Sequence, residues 1–366
     1  MATHPIQYYA PLFRALAARG DVDLTVYFAH RPTAAEQGIG FGVAFQWDVD
    51  LTAGYKSVFL RNVAQGPNRD RFADYDTPEI ISIIERREHD AIVVLGWRAR
   101  AYWQAMRACW RTNTPVYVRG DSQLEDDRGL KRLVKRALYP RFVGRFTACL
   151  AVGTRSEAYF RYYGARRVVR SPHFVDNAAF AAGASHARAS RNAVRAQWDI
   201  DDSTLAVLFV GKLIDKKRPG DVVDACRRVS GARAIIVGDG PLKGTLANAT
   251  LLGFRNQSEL PAIYAAADVL VLPSDRQETW GLVINEAMAA GLPVVASDAV
   301  GCVPDLITPG VTGDRFPPGN VDALAAALRA LVDDPARGPR MAAAASDRIG
   351  QYSADRAAAG VMEAVT

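Results

Sequence analysis

Short, strongly apolar runs alternate with stretches of helical spacing along the whole chain. In the first half the runs are VDLTVYF (22–28), AIVVL (91–95), PVYV (115–118) and TACLAV (147–152). In the second half they are LAVLFV (205–210), RAIIVG (233–238), DVLVLP (268–273) and PVVAS (293–297). A strand with one wet face alternates apolar and polar positions. Near-continuous apolar runs suit parallel strands covered by helices on both faces. Two successive β/α series therefore predict an α/β protein of two doubly wound domains. The join is expected near SPHFVDNAAF (171–180) and the polar AAGASHARASRN that follows. That gives a first domain over 1–175 and a second over 176–348.

One place breaks the pattern. A doubly wound domain opens with a central strand, a turn and a helix. Here a helix is predicted over 8–18, but the loop-like THPIQ (3–7) before it follows only two residues. The first strand is expected to be missing or truncated.

Composition changes this picture little and charge somewhat more. At 366 residues the chain suits two domains, and 49% hydrophobic with 23% charged residues marks an ordinary soluble globular protein. No apolar run reaches 18 residues, so no transmembrane helix is expected. The N-terminus lacks the charged-then-apolar layout of a signal peptide. Cys109, Cys149, Cys226 and Cys302 are far apart and suit a reducing cytoplasm. The net charge of +6 is uneven: residues 1–180 hold 26 Lys+Arg against 18 Asp+Glu, the rest 19 against 21. A basic first half suits an anionic partner, such as a membrane surface or an acidic substrate, or simply reflects solvated arginine-rich faces. No nucleic-acid partner is expected.

The densest chemistry lies in SDRQETWGLVINEAMAAGLPVVASD, from Ser274 to Asp298. Strand 268–273 ends just before it, and a helix is predicted from Gly281 or Leu282. Ligands of open α/β sheets bind at the carboxyl ends of strands. Thr279, Trp280, Gly281 and Leu282 would present backbone N–H groups and a positive dipole end to a diphosphate, with Gly281 permitting close approach. Glu278 would accept hydrogen bonds from sugar hydroxyls, and Glu286 from a ribose diol. Alone, the two acids read rather as a capping residue and a solvated helix residue. Their surroundings add weight. Lys212 and Lys217 follow the glycine turn at Gly211, where two ammonium groups could neutralise a diphosphate. Gly238 and Gly240 make a second turn, although Lys243 stands where a complete GxGxxG has its last glycine. Pro241 and Leu242 read as the start of a helix. Leu252-Gly253-Phe254, with Leu260 and YAAAD (264–268), reads as a further loop that could contact a nucleobase.

Taken in order, FVGKLIDKKRP, IIVGDGPL, LLGF, LPAIYAAADVLVLPSDRQETWGLVINEAMAAGLPVVASD and VTGDRFPPGN resemble the GT4-type retaining glycosyltransferases (glycosyl transferases group 1), over roughly residues 205–320. The resemblance implies the GT-B fold: two Rossmann-like domains facing across a cleft, with a C-terminal helix (349–366) crossing back to the first domain. It implies Glu278 near the donor sugar, Glu286 at the ribose, and Lys212 and Lys217 at the diphosphate. Lys212 stands where the family more often has Arg, which keeps charge but loses bidentate geometry. The first domain matches less well. THPIQ replaces the family's Gly-Gly turn, with His4 and Gln7 as candidate donors to the phosphate or acceptor. Arg119 or Asp121 occupies the place where the family often has a histidine. His173 and Phe174 stand where Asn-Gly is common.

The implied reaction moves a sugar from a UDP- or GDP-linked donor to an acceptor hydroxyl of a glycan, lipid-linked sugar or small molecule, with retention, in envelope or glycoconjugate synthesis. No first-domain acid stands out as a nucleophile, so front-face departure is expected, the leaving phosphate receiving the acceptor proton. No cofactor is expected beyond the nucleotide-sugar co-substrate. No metal is expected either, because the Asp-x-Asp pairs at 21/23, 48/50, 74/76 and 199/201 sit away from the proposed site. Alternative readings are a non-catalytic nucleotide-sugar-binding scaffold and a GT-B epimerase or phosphorylase. RGLKRLVKRALYPRFVGR (128–145) is a basic amphipathic helix that can pack on the first domain's sheet or lie on the inner face of the cytoplasmic membrane. The aromatic-rich 40–60 segment is a candidate lining for an acceptor pocket.

Overall fold

The computed structural model describes residues 1–39, 42–64, 71–124 and 130–366. It forms two compact units: one of Met1–Gln37, Asp50–His173 and Ala354–Thr366, the other of Gly38–Val49 and Phe174–Ser353.

Among the described residues the first unit holds six strands: β1 (Thr25–Phe28), β2 (Lys56–Phe59), β3 (Ile92–Val94), β4 (Val116–Gly120), β5 (Ala148–Ala151) and β6 (Val168–Arg170). They pair in parallel as β1-β2 and as β3-β4-β5-β6. Between β1 and β3 run only Met1 and Ala2. Ala2 N donates to Tyr27 O (2.9 Å), and Ala29 N donates to Ala2 O (3.0 Å). On the other side the Met1 ammonium donates to Val93 O (2.6 Å), and Leu95 N donates to Met1 O (3.3 Å). Met1 and Ala2 thus hold the place between β1 and β3 and pair on both sides. Helix Ala10–Ala17 follows, burying Leu12, Phe13 and Leu16. Helix Ala354–Val365 packs against it and against β6, so the chain's last helix belongs to the first unit.

The second unit continues the count with β7 (Leu205–Val210), β8 (Ala232–Val237), β9 (Thr250–Gly253), β10 (Val269–Leu272), β11 (Val294–Ser297) and β12 (Asp314–Phe316). They form one parallel sheet in the order β12-β11-β10-β7-β8-β9. Strands β7, β10 and β11 are buried almost throughout, as their unbroken apolar runs require.

Several elements differ from the sequence reading. Thr250–Gly253 is an edge strand, where LLGF reads as loop, and Tyr264 lies in helix Leu260–Ala266. After Gly240 there is only a single 3-10 turn, Lys243–Thr245, in place of the expected helix. β2, β6, β9 and β12 carry no strong apolar run because each is short and partly exposed. The 40–60 segment divides: residues 42–49 pack with the second unit, and Lys56–Phe59 is β2. Helix Leu130–Val143 forms as expected, with Leu133, Val134 and Leu138 exposed. Its lead-in at 125–129 lies outside the described residues. All four cysteines are buried and unpaired by disulfides, and no described helix is long and apolar enough to cross a membrane.

Candidate active site

Chain order along the second sheet reverses between β7 and its neighbour β10. Loops leaving the carboxyl ends of such adjacent strands diverge to opposite sides and open a crevice. The loop after β7 carries Lys212 and a 3-10 turn, Asp215–Lys217. The loop after β10 carries Ser274 to Gly281. Asp275 N donates to Lys216 O (2.9 Å), which ties the two loops together.

Across this tie, Lys217 Nζ donates to Glu278 Oε2 as a direct ion pair, with side chains 18% and 15% exposed. The fully buried Ser274 adds its hydroxyl to the same carboxylate oxygen (3.3 Å). Two of the predicted residues, far apart in sequence, therefore form one partly buried pair at the switch point. Lys212 is placed differently: its ammonium donates to Ile39 O (3.2 Å) from the Gly38–Val49 segment.

Helix Leu282–Ala289 begins where predicted, capped by Gly281 in the left-handed region at φ +96°. A Cβ on Gly281 would stand 2.8 Å from Leu272 and 3.0 Å from Val300. Glycine is therefore required by the backbone turn and by packing under the loop, whatever approaches from above. Trp280 is buried, its indole N–H donating to Asn285 Oδ1 (2.8 Å), and Gly301 N donates to Glu278 O (3.0 Å). These contacts hold the Glu278-Thr279-Trp280 backbone at the helix mouth.

Glu286 is 1% exposed and accepts the Tyr264 hydroxyl at 2.7 Å. It sits inside the helix packing, in contrast to the solvated residue that the sequence alone allows. The sequence reading set Tyr264 in a base-contacting loop and gave Ser274 no role; neither was read as a partner of the two acids. Tyr264 carried a signal, since it sits at an inward position of an otherwise Ala-rich helix.

The glycine turns after β7 and β8 pack on each other. A Cβ on Gly238 (φ +132°) would stand 1.9 Å from Gly211 O. Leu213 N donates to Asp239 O (2.9 Å), and Lys243 pairs with Asp239 (2.7 Å), its ammonium holding that carboxyl below the usual range. Gly211, Gly238 and Gly240 thus lock two loop roots together. Phe254 follows β9, with its ring 4.3 Å from Phe45. Asn256 Nδ2 donates to Gln46 O (2.7 Å), and Ser258 N donates to Asp48 Oδ1 (3.3 Å), so residues 45–48 dock along the loop that follows β9.

In the first unit, His4 stacks on Tyr75 with Nδ1 3.1 Å from Thr3 Oγ1. Asp121 lies just past the carboxyl end of β4, partly buried. Arg119 is buried and donates to Ser171 Oγ (3.1 Å), Ser171 O (3.1 Å) and Pro172 O (2.8 Å), a structural clamp on the end of β6. His173 is buried nearby. Burial, then the charge of Arg119, holds its pKa well below the usual imidazole value, so it is neutral at pH 7.

One acid of each Asp-x-Asp pair makes the following contact. Asp21 pairs with Arg19 (2.8 Å), Asp50 accepts from Thr52 N (2.8 Å), Asp76 accepts from Gln104 (2.6 Å) and Asp201 accepts from Ser203 (2.7 Å).

Comparison with known proteins places this geometry. Residues 190–348 match the family of glycosyl transferases group 1. Sucrose-phosphate synthase from Thermosynechococcus elongatus superposes with a TM-score of 0.71 at 18% identity, covering 99% of this chain and 97% of that one. HepE from Anabaena, solved in complex with UDP-glucose, superposes at 0.67 and 19% identity, covering 99% of each chain. The fold is GT-B. The family match lies within the second unit. A sulfoquinovosyl transferase from Arabidopsis thaliana is 39% identical over 137 residues, 35% of this chain and 26% of that protein. A GDP-mannose-dependent alpha-mannosyltransferase from Mycobacterium tuberculosis is 38% identical over 164 residues, 43% of this chain and 41% of that protein. The matched stretch spans less than half the length of either relative.

Proposed function

We propose that the protein is a retaining glycosyltransferase that moves a sugar from a nucleoside diphosphate donor to an acceptor hydroxyl, without a metal. The observation that carries this reading is the Lys217–Glu278 pair at the switch point between β7 and β10. It sets a cation for the diphosphate beside an acid for the sugar hydroxyls, at the mouth of helix Leu282–Ala289. The group 1 family match over the same unit supports it.

In this reading the donor's diphosphate draws Lys217 away from Glu278, and the freed carboxylate accepts sugar hydroxyls. Lys212 exchanges Ile39 O for a phosphate oxygen. The bond between the anomeric carbon and the phosphate oxygen breaks, and the acceptor oxygen attacks from the same face. Its proton passes to the leaving phosphate oxygen. Catalysis rests on holding the reactants together and stabilising the leaving charge. Glu286, held by Tyr264, anchors the ribose end.

The test is turnover of a nucleotide-sugar panel by the parent chain and by Lys217→Ala, Glu278→Ala and Lys212→Ala. Each variant is expected to lose about a hundredfold, corresponding to ~3 kcal/mol of lost stabilisation, with unchanged melting temperature. Near-parental turnover in all three would end the site assignment, and abolition of parental activity by a chelator would end metal independence. A second reading is a non-catalytic nucleotide-sugar-binding scaffold, in which Lys217 and Glu278 stay paired. Donor binding with no turnover on any acceptor, and no slow donor hydrolysis, would select it.

The exposed Leu133, Val134 and Leu138, beside Lys135, Arg136 and Arg141, further suggest a peripheral contact with an anionic membrane. Salt-sensitive sedimentation with anionic vesicles is expected, and absence of sedimentation at low salt would remove this contact from the proposal.

A further inference from the structure

The loop after β10 rests on two supports. The first is the turn that follows β11. Gly301 N donates to Glu278 O (3.0 Å), and Cys302 N donates to Trp280 O (3.0 Å). A Cβ on Gly301 would stand 1.8 Å from Thr279 O, so this turn packs directly on the Thr279–Trp280 peptide. The turn runs into the short helix Val303–Leu306, where Asp305 N donates back to Cys302 O (2.9 Å). The second support is the Trp280 side chain. Its indole N–H donates to Asn285 Oδ1 of helix Leu282–Ala289 (2.8 Å), and both side chains are buried.

Tyr352 touches both supports. Its ring lies 6.1 Å from the Trp280 ring, within the range of a favourable aromatic pair. Its hydroxyl lies 3.3 Å from Asp305 Oδ1 and 3.4 Å from Asp305 O. Tyr352 and Asp305 are both buried. Tyr352 is held in turn. Asn177 Nδ2 donates to Tyr352 O and to Ile349 O (3.1 Å each). Arg348 Nε donates to Asp305 O (2.8 Å), and Arg348 Nη2 lies 3.4 Å from the Tyr352 hydroxyl. Filling core volume needs no such arrangement, since a leucine or phenylalanine does that equally well. Here the ring meets the one aromatic residue of the Ser274–Gly281 loop, and the hydroxyl meets the turn on which that loop packs.

We propose that Tyr352 is a positioning residue for the donor site. It fixes the Thr279–Trp280 peptide through Trp280 on one side and through the Asp305 turn on the other. The backbone N–H groups at the mouth of helix Leu282–Ala289 then stay aimed at the donor's diphosphate. This role rests on the reading of that loop as the donor site. Tyr352 acts through Trp280 and the turn, not by contact with the donor. Its place in the chain, next to last in the second unit before the return to the first, gives no hint of the role.

The experiment compares full chains carrying Tyr352→Leu and Tyr352→Phe with the parent and with Lys217→Ala. Calorimetry reads binding of UDP and GDP, ligand-observed NMR reads binding of uridine and guanosine, and thermal unfolding is followed on each chain. Leucine keeps apolar volume but loses ring and hydroxyl. It should weaken the nucleoside diphosphate that the parent binds by at least about tenfold, and leave the matching nucleoside within about twofold, because only groups facing the phosphates are displaced. Phenylalanine keeps the ring on Trp280 while Arg348 still holds Asp305, so affinity should recover to within about threefold of the parent. Where Tyr352→Leu does not fold, Trp280→Phe probes the same contact from the other side and carries the same expectation. Equal weakening of nucleoside and nucleoside diphosphate would overturn the proposal, as would a lowered melting midpoint with parental affinity for both. Parental affinity in Tyr352→Leu beside a loss in Lys217→Ala would overturn it and leave the donor site standing. A parent that binds neither UDP nor GDP would end the donor-site reading, and this role with it.

Discussion

The two sheets of this protein are built on one plan and differ at the centre. In the second unit the first strand, β7, is six residues long, almost fully buried, and paired along its length with β8 and in part with β10. In the first unit the corresponding place is held by Met1 and Ala2. The loop after β7 inherits its position from the ladder and from the interlocked turns at Gly211 and Gly238. The loop after Ala2 has no such root. THPIQ is held instead by side chains: Thr3 N donates to Tyr102 Oη (3.1 Å), and His4 stacks on Tyr75. A site residue is placed only as firmly as the strand behind it, and this is why the second unit yields a closed constellation while the first yields separate candidates.

The contrast can be broken hardest at Gly238. Alanine there must adopt φ +132° and place its Cβ 1.9 Å from Gly211 O. A loss of at least ~3 kcal/mol is expected, seen as a lower denaturant midpoint of the second unit together with loss of donor binding. Parental stability would mean that the loop roots are not rigid. The counterpart in the first unit is acid sensitivity. The Met1 nitrogen is enclosed although its side chain reaches a cavity between β1 and β3, and burial lowers its folded pKa from 8.0 to about 5. Between those values the unfolded chain binds the proton more tightly, so stability should fall as pH drops from 8 to 5 and level off below. The whole change is at most about 4 kcal/mol, less wherever water in the cavity solvates the charge. Buried, neutral His173 acts in the same direction below its usual pKa, so the measurement is best made with His173→Phe alongside the parent. A flat profile from pH 5 to 8 in both would remove the buried ammonium from the account. The smallest effect is expected at Tyr264→Phe. It leaves the buried Glu286 carboxylate short of a hydroxyl donor, which costs ~1–3 kcal/mol of stability and weakens nucleotide binding more than turnover. Equal loss of both would move Glu286 from a binding to a purely structural role.

Much of this was legible without coordinates. Each of the eight long apolar runs became a strand, because a chain that buries both faces of a sheet has no polar position to spare. The Glu278–Glu286 spacing around a helix start was equally readable, since capping and period leave local marks. The short strands β2, β6, β9 and β12 were not readable: edge positions select little for apolarity, and three or four residues carry no period. The docking of residues 42–49 with the second unit was invisible for another reason. It rests on a ring contact, Phe45 with Phe254, between positions 209 apart in sequence, and nothing in either stretch names the other.

Sequence alone determined the two β/α series and the carboxylates and lysines of the loops after β7 and β10, because each is a matter of local spacing and composition. Tertiary structure alone decided which of those residues meet. It paired Lys217 with Glu278, sent Lys212 to Ile39, buried Glu286 under Tyr264, and enclosed a cavity between β1 and β3. Strand order is the physical reason. Which loops are neighbours depends on how strands distant in sequence pair, and that pairing is set by the burial of whole sheets, not by any one segment.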